Sequence, residues 1–174
     1  MLLVDDVEQF IAAFRAAEDA GSIQRKVSLL LELDRHRGPR SLQFLLDELR
    51  DRTEAIAVRV ACIRRLRNAD LTAADNRFRV AEALVDVLWP AEHDDLRLEA
   101  VLTLGDFADI PSVQTALGTL ALRLSESIDL RYTAFTSLER SGPSPLTIQL
   151  FRQLEADETL GPPAESVLRL WRVA

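Results

Sequence analysis

Arginine is the residue type in this sequence best suited to do chemistry. Of the 21 basic residues, 20 are arginine, and several stand close together. Arg35, Arg37 and Arg40 are followed by Arg64, Arg65 and Arg67, and then by Arg77 and Arg79. A guanidinium is planar, always charged and rich in N–H donors, so such a cluster suits carboxylates or phosphates. Arg35, Arg37, Arg40, Arg64 and Arg67 are therefore candidate anion-binding residues. The competing reading is a solvated surface balanced by Asp34, Asp47, Glu48, Asp51, Asp70 and Asp75.

Other reactive types are sparse. His36 and His93 are 57 residues apart, and neither has a second histidine at metal-ligand spacing. They read as surface or capping residues. With a single cysteine, Cys62, no paired-cysteine zinc motif can form. The Gly-x-Ser-x-Gly elbow and the Gly-x-x-x-x-Gly-Lys phosphate loop are both missing from the sequence. The carboxylate pairs Asp5-Asp6 and Asp94-Asp95 fall where helices should start, where negative charge favours the helix dipole. The sequence points to no catalytic, metal or cofactor-binding residue, and it reads as a binding protein rather than an enzyme.

The chain has 174 residues, 48% apolar and 28% charged, with a net charge of −7. A core of that size needs no disulfide or metal. Residues 1–80 carry 14 basic against 13 acidic side chains, and residues 81–174 carry 7 against 15. The overall balance argues against nucleic acid as a partner, although a basic patch in the first half stays compatible with it. The N-terminus lacks the basic and apolar segments of a secretory signal, and no stretch approaches 18 uncharged apolar residues. One thiol without an export signal fits a reducing cytoplasm, with no membrane association.

The elements that must position these residues are helices. Segments 42–49 and 80–88 place apolar residues on one helix face, and no alternation demands a strand. Gly38-Pro39, Asp109-Ile110-Pro111, Ser144-Pro145 and Gly161-Pro162-Pro163 read as helix starts, where proline's missing N–H costs nothing. Thr72 and Asp75 resemble a capping box, and Trp89-Pro90 reads as a helix end. Ten helices are expected, over about 5–18, 23–36, 40–51, 54–68, 73–88, 93–108, 111–124, 128–140, 145–157 and 162–172.

The even-numbered helices repeat. Leu96-Arg97-Leu98-Glu99-Ala100-Val101-Leu102-Thr103-Leu104 aligns with Leu130-Arg131-Tyr132-Thr133-Ala134-Phe135-Thr136-Ser137-Leu138 at an offset of 34. Copies also begin at Val58 and Arg25, and a fifth is aligned at Pro162–Leu170. The unit is a helix pair, giving repeats over about 1–37, 38–69, 70–108, 109–141 and 142–174 of a single 1–174 domain. One pair is too small for its own core, and stacking supplies it.

The Asp-Leu-Arg-x-x-Ala-x-x-x-Leu run at 95–104, with its variant at 129–138, resembles the second helix of HEAT-like repeats of the phycobilisome-lyase type. The resemblance implies an all-α αα-solenoid of about five helix pairs whose inner helices line a concave, partner-binding face. Within that group some proteins are DNA glycosylases and others chromophore lyases. A HEAT-like lyase and anion or nucleic-acid binding through the arginine cluster therefore stand as alternatives to a protein-binding scaffold.

Superimposing the nine-residue copies sorts the columns. The ninth (Leu33, Leu66, Leu104, Leu138, Leu170), the sixth and the small fifth (Leu29, Cys62, Ala100, Ala134, Ser166) read as core. The second (Lys26, Arg59, Arg97, Arg131, Pro163) reads either as a phosphate ladder or as an internal ladder accepting on Asp95 and Asp129. The resemblance favours the internal one. The fourth, eighth and eleventh columns are expected to form the exposed stripe that meets a protein or peptide. Arg65, Glu99, Thr103, Asp106, Thr133 and Ser137 are its candidate contacts. Trp171 stands at the tenth column of the last copy, either folding back over the end of the core or anchoring an interface.

Overall fold

Proline and short connections set the helix starts. Pro39, Pro111, Pro145 and Pro162 all occupy the first positions of helices, as their sequence context predicts. The computed structural model describes residues 3–17, 22–33, 36, 38–69 and 71–173. Among them are ten α-helices, a 3-10 turn and no strand. The helices are α1 (Leu3–Arg15), α2 (Ser22–Glu32), α3 (Pro39–Arg50), α4 (Ile56–Leu66), α5 (Ala74–Asp86), α6 (Asp94–Leu104), α7 (Pro111–Leu122), α8 (Ile128–Glu139), α9 (Pro145–Leu154) and α10 (Gly161–Leu170). The 3-10 turn, Gly105–Phe107, extends α6. All ten expected segments are helical, and most of the differences are shortened ends. No helix among the described residues is long and apolar enough to cross a membrane.

One cap is not where the sequence suggested. Ala73 precedes α5 and gives it no side-chain cap, so the box expected at Thr72 and Asp75 does not form there. A full capping box closes α9 instead. Ser144 Oγ accepts the Thr147 N–H at 3.1 Å, and Thr147 Oγ1 accepts the Ser144 N–H at 2.8 Å.

The chain forms two compact units, Met1–Glu99 and Ala100–Ala174. In the first, α1 packs on α2 and α3, α2 on α4, and α3 on α4 and α5. Contacts between sequence neighbours thus occur in the pairs α1–α2 and α3–α4, and contacts two places apart in α1–α3, α2–α4 and α3–α5. Phe10 and Phe14 of α1 meet the Phe44 ring of α3 edge-on, at 5.8 and 5.1 Å between centroids. In the second unit α7 packs on α8 and α9, α9 on α10, and the 3-10 turn on α8. Phe135 of α8 lies against Phe151 of α9 at 4.9 Å.

Trp171 folds back onto this cluster. Its indole meets the Phe151 ring at 5.0 Å and 72°, half-buried. The chain then turns through Arg172, whose φ of 57° is in the left-handed region. The Val173 N–H reaches the Leu168 carbonyl at 3.2 Å, and the Arg172 N–H that of Arg169 at 3.1 Å. That pair of bonds is a Schellman ending, with arginine where glycine is usual.

The last copy needs a corrected register. Aligned at Pro162, it puts Ser166 and Leu170 in core columns, yet Ser166 is exposed and Leu170 is 74% exposed. Ala164 and Leu168 are buried instead. The copy therefore starts two residues earlier, at Leu160, with Gly161 in the second column. Trp171 then follows Ala164 and Leu168 at i+7 and i+3, on the core stripe. A Cβ on Gly161 would lie 2.6 Å from the Glu155 carbonyl oxygen, so α10 starts pressed against the end of α9. Gly161→Ala should lower unfolding stability by about 1–3 kcal/mol, because backbone must move to admit the methyl. Denaturant titration would read it, and a change below about 0.5 kcal/mol would show that the contact is soft.

Candidate interaction surface

The second-column cations turn inward. Arg59 is 2% exposed. Its Nε donates to the Leu49 carbonyl at 2.9 Å, and its Nη1 to Glu92 at 2.7 Å. Arg97 Nε donates to the Leu88 carbonyl at 3.2 Å, with Nη1 3.3 Å from Asp94. Arg131 Nε donates to the Ala121 carbonyl at 2.8 Å, and its Nη2 pairs with Asp157. Lys26 of the first copy pairs with Glu54 at 2.5 Å and lies over the Phe14 ring.

Leu49 and Ala121 belong to the last turns of α3 and α7, and Leu88 stands just beyond α5. Each arginine thus satisfies a carbonyl that its helix leaves unpaired, at the negative end of the helix dipole. The acceptors are these carbonyls and the carboxylates of Glu92, Asp94 and Asp157, not Asp95 and Asp129. Asp129 is exposed, and the Asp95 N–H donates to His93 Nδ1 at 3.2 Å, so His93 caps the start of α6.

The carboxylates of the ladder feel their partners. The donor from Arg59 holds Glu92 below the usual carboxylate range, against the opposing effect of burial. Burial pushes Asp157 up, but the N–H of Leu160, the Arg131 guanidinium and the Thr159 N–H outweigh it and hold the group low. Burial pushes the Cys62 thiol far up, as fits a core residue.

The candidate contacts divide. Thr103 is fully buried and Ser137 is 2% exposed, its Oγ donating to the Val101 carbonyl at 3.1 Å. Glu99 is buried, accepting from Arg64 at 3.0 Å with Arg67 at 3.7 Å. These three are not on an exposed stripe. The eighth column lies seven residues after the first and three after the fifth, so it shares the packed face. Arg65 and Thr133 are half-buried, and the Thr133 hydroxyl donates to the Asp129 carbonyl. Asp106 and Arg140 are exposed and paired at 2.7 Å.

The arginine cluster is engaged too. Arg40 pairs with Glu8 at 2.5 Å, and Arg64 and Arg67 share Glu99. Arg35 and Arg37 lie outside the described residues.

What the pattern missed is the column opposite the core. With the first, second, fifth, sixth, eighth and ninth columns packed, the seventh faces away from them, flanked by the third and eleventh. In the first unit this line holds the half-buried Val27 and Val60, with the exposed Leu31 and Arg64. In the second it holds Leu102, Tyr132 and Leu170, at 44%, 50% and 74% exposed. The Tyr132 ring stacks on Phe135 at 6.0 Å and 12°. The signal was present as Val27, Val60, Leu98 and Tyr132 in one column and Leu31 and Leu102 in another. Polar residues in the fourth and eighth columns masked it.

The sequence matches no protein-family model and no curated protein.

The ladder has a pH signature. Glu92 is held below its ordinary value of 4.5, so the stability it contributes is present above that value. It is lost as pH falls from there through the lower folded value. Glu92→Gln should destabilise the chain at pH 7 and show a shallower loss of stability below about pH 4.5. Parallel pH profiles of the two proteins would contradict the assignment.

Proposed function

We propose that this chain is a HEAT-like αα-solenoid module that binds another protein and carries out no chemistry itself. The packing of α1–α2, α3–α4, α7–α8 and α9–α10 as pairs, and of α1–α3, α2–α4, α3–α5 and α7–α9 two places apart, supports the solenoid reading, as does the repeat through α2, α4, α6, α8 and α10. The contact face is formed by the third and seventh columns of the even helices in the second unit. The observation that carries this is the exposure of Leu102 and Tyr132, both in the second unit. Large apolar and aromatic side chains held open on a rigid helix are the usual anchors of a protein interface. Asp106 and Arg140, paired with each other, add exposed polar groups to the same unit.

A cytoplasmic setting accords with Cys62 being a core residue that needs no disulfide partner. The pairing of Arg40, Arg64 and Arg67 with carboxylates favours a protein partner over a phosphate-bearing one.

Site-specific photo-crosslinking in cells that make the protein tests the face. A photoreactive residue in place of Leu102 or Tyr132 should yield discrete adducts, and one in place of Thr115, exposed on α7, should not. Identical adducts from all three positions, or none from 102 and 132, would overturn the proposal.

A further inference from the structure

An open cleft in the second unit is chemically distinct from the even-helix face. Its volume is about 560 Å³, and its lining includes Leu122, Leu124, Arg131, Ala156, Asp157 and Glu158. That size is in the range of roughly 300–1,000 Å³ common for ligand sites. One wall is apolar. Leu124 stands in the α7–α8 connection at 76% exposure, beside Leu122 and Ala156.

The polar lining is unevenly satisfied. Asp157 is complete, with Oδ1 accepting the N–H groups of Thr159 and Leu160 and Oδ2 paired to Arg131. Arg131 itself is 6% exposed, and its Nε and Nη2 are used by Ala121 and Asp157. No described residue accepts from its Nη1, so a buried guanidinium offers N–H donors along the cleft. Glu158 is exposed and forms no ion pair with a described residue. The cleft therefore presents a fixed donor, a free carboxylate and an apolar wall.

We propose that the cleft takes a short segment of a partner protein in which an apolar residue adjoins an arginine or lysine. A backbone carbonyl of the segment accepts from Arg131 Nη1, the apolar side chain lies on Leu122 and Leu124, and the cation pairs with Glu158. A carbonyl fits the donor and a cation fits the carboxylate. An acidic segment would meet Glu158 and Asp157 with like charge. The proposal rests on the binding-module reading but uses none of the residues of the even-helix face.

Backbone amide spectra of the full chain, titrated with acetyl-Leu-Arg-amide and acetyl-Leu-Glu-amide to about 5 mM, test it. That concentration nearly saturates a site with a Kd of about 1 mM. The arginine peptide should shift the amides of Leu124, Ala156, Glu158 and Thr159, and the glutamate peptide should bind more weakly. Glu158→Gln should weaken the arginine peptide about threefold and leave the rest of the spectrum in place. Equal shifts from both peptides, no shifts at these amides, or unchanged affinity in Glu158→Gln would each overturn it. Crosslinking at 102 and 132 does not depend on this cleft, so the two proposals fail separately.

Discussion

A guanidinium taken out of water must find acceptors, and the packing of this chain is arranged around that requirement. Removing such a charge from solvent costs several kcal/mol unless hydrogen bonds replace the lost hydration. At Arg59, Arg97 and Arg131 the replacement is a carbonyl at or just beyond the end of the preceding odd helix. An odd helix must therefore stop within reach of the next even helix, and the carboxylate that completes the site must come from a nearby turn. Glu92 and Asp157 do so for Arg59 and Arg131. The last pair meets the same geometry differently. Gly161 takes the second column, and without a side chain there α10 starts against the Glu155 carbonyl.

Much of this was legible in the residues. Proline at helix starts, apolar spacing and the repeated Leu-Arg-x-x-Ala pattern placed all ten helices and the second-column ladder. What failed did so for identifiable reasons. The ladder's acceptors are backbone carbonyls, which every residue has and no sequence marks, together with the carboxylates of Glu92, Asp94 and Asp157, whereas adjacency and acidity alone point to Asp95 and Asp129. Thr103 and Ser137 were read as exposed because they are polar. A small hydroxyl can be buried when it returns its hydrogen bond to a backbone carbonyl, as Ser137 does to Val101. The last copy slipped by two residues because its arginine is replaced by glycine, and without that marker the leucines alone do not fix a register.

The arginines that looked most able to grip an anion are held by Glu8 and Glu99, and those of the second column by carbonyls and carboxylates. Their charge goes into holding helices together. What the even helices leave open includes Leu31 in the first unit and Leu102 and Tyr132 in the second. Buried, internally paired arginines beside a few open apolar side chains are the basis for proposing protein recognition.

The central claim is that the second-column arginines are internal supports. Comparing the unfolding stability of Arg131→Met with that of Arg140→Met tests it most directly, since Arg140 is an exposed arginine paired with Asp106. Arg131→Met is predicted to lose about 3–5 kcal/mol, because Asp157 Oδ2 and the Ala121 carbonyl are left without their donor. Arg140→Met should lose at most about 1 kcal/mol. Small losses of similar size in both would contradict it.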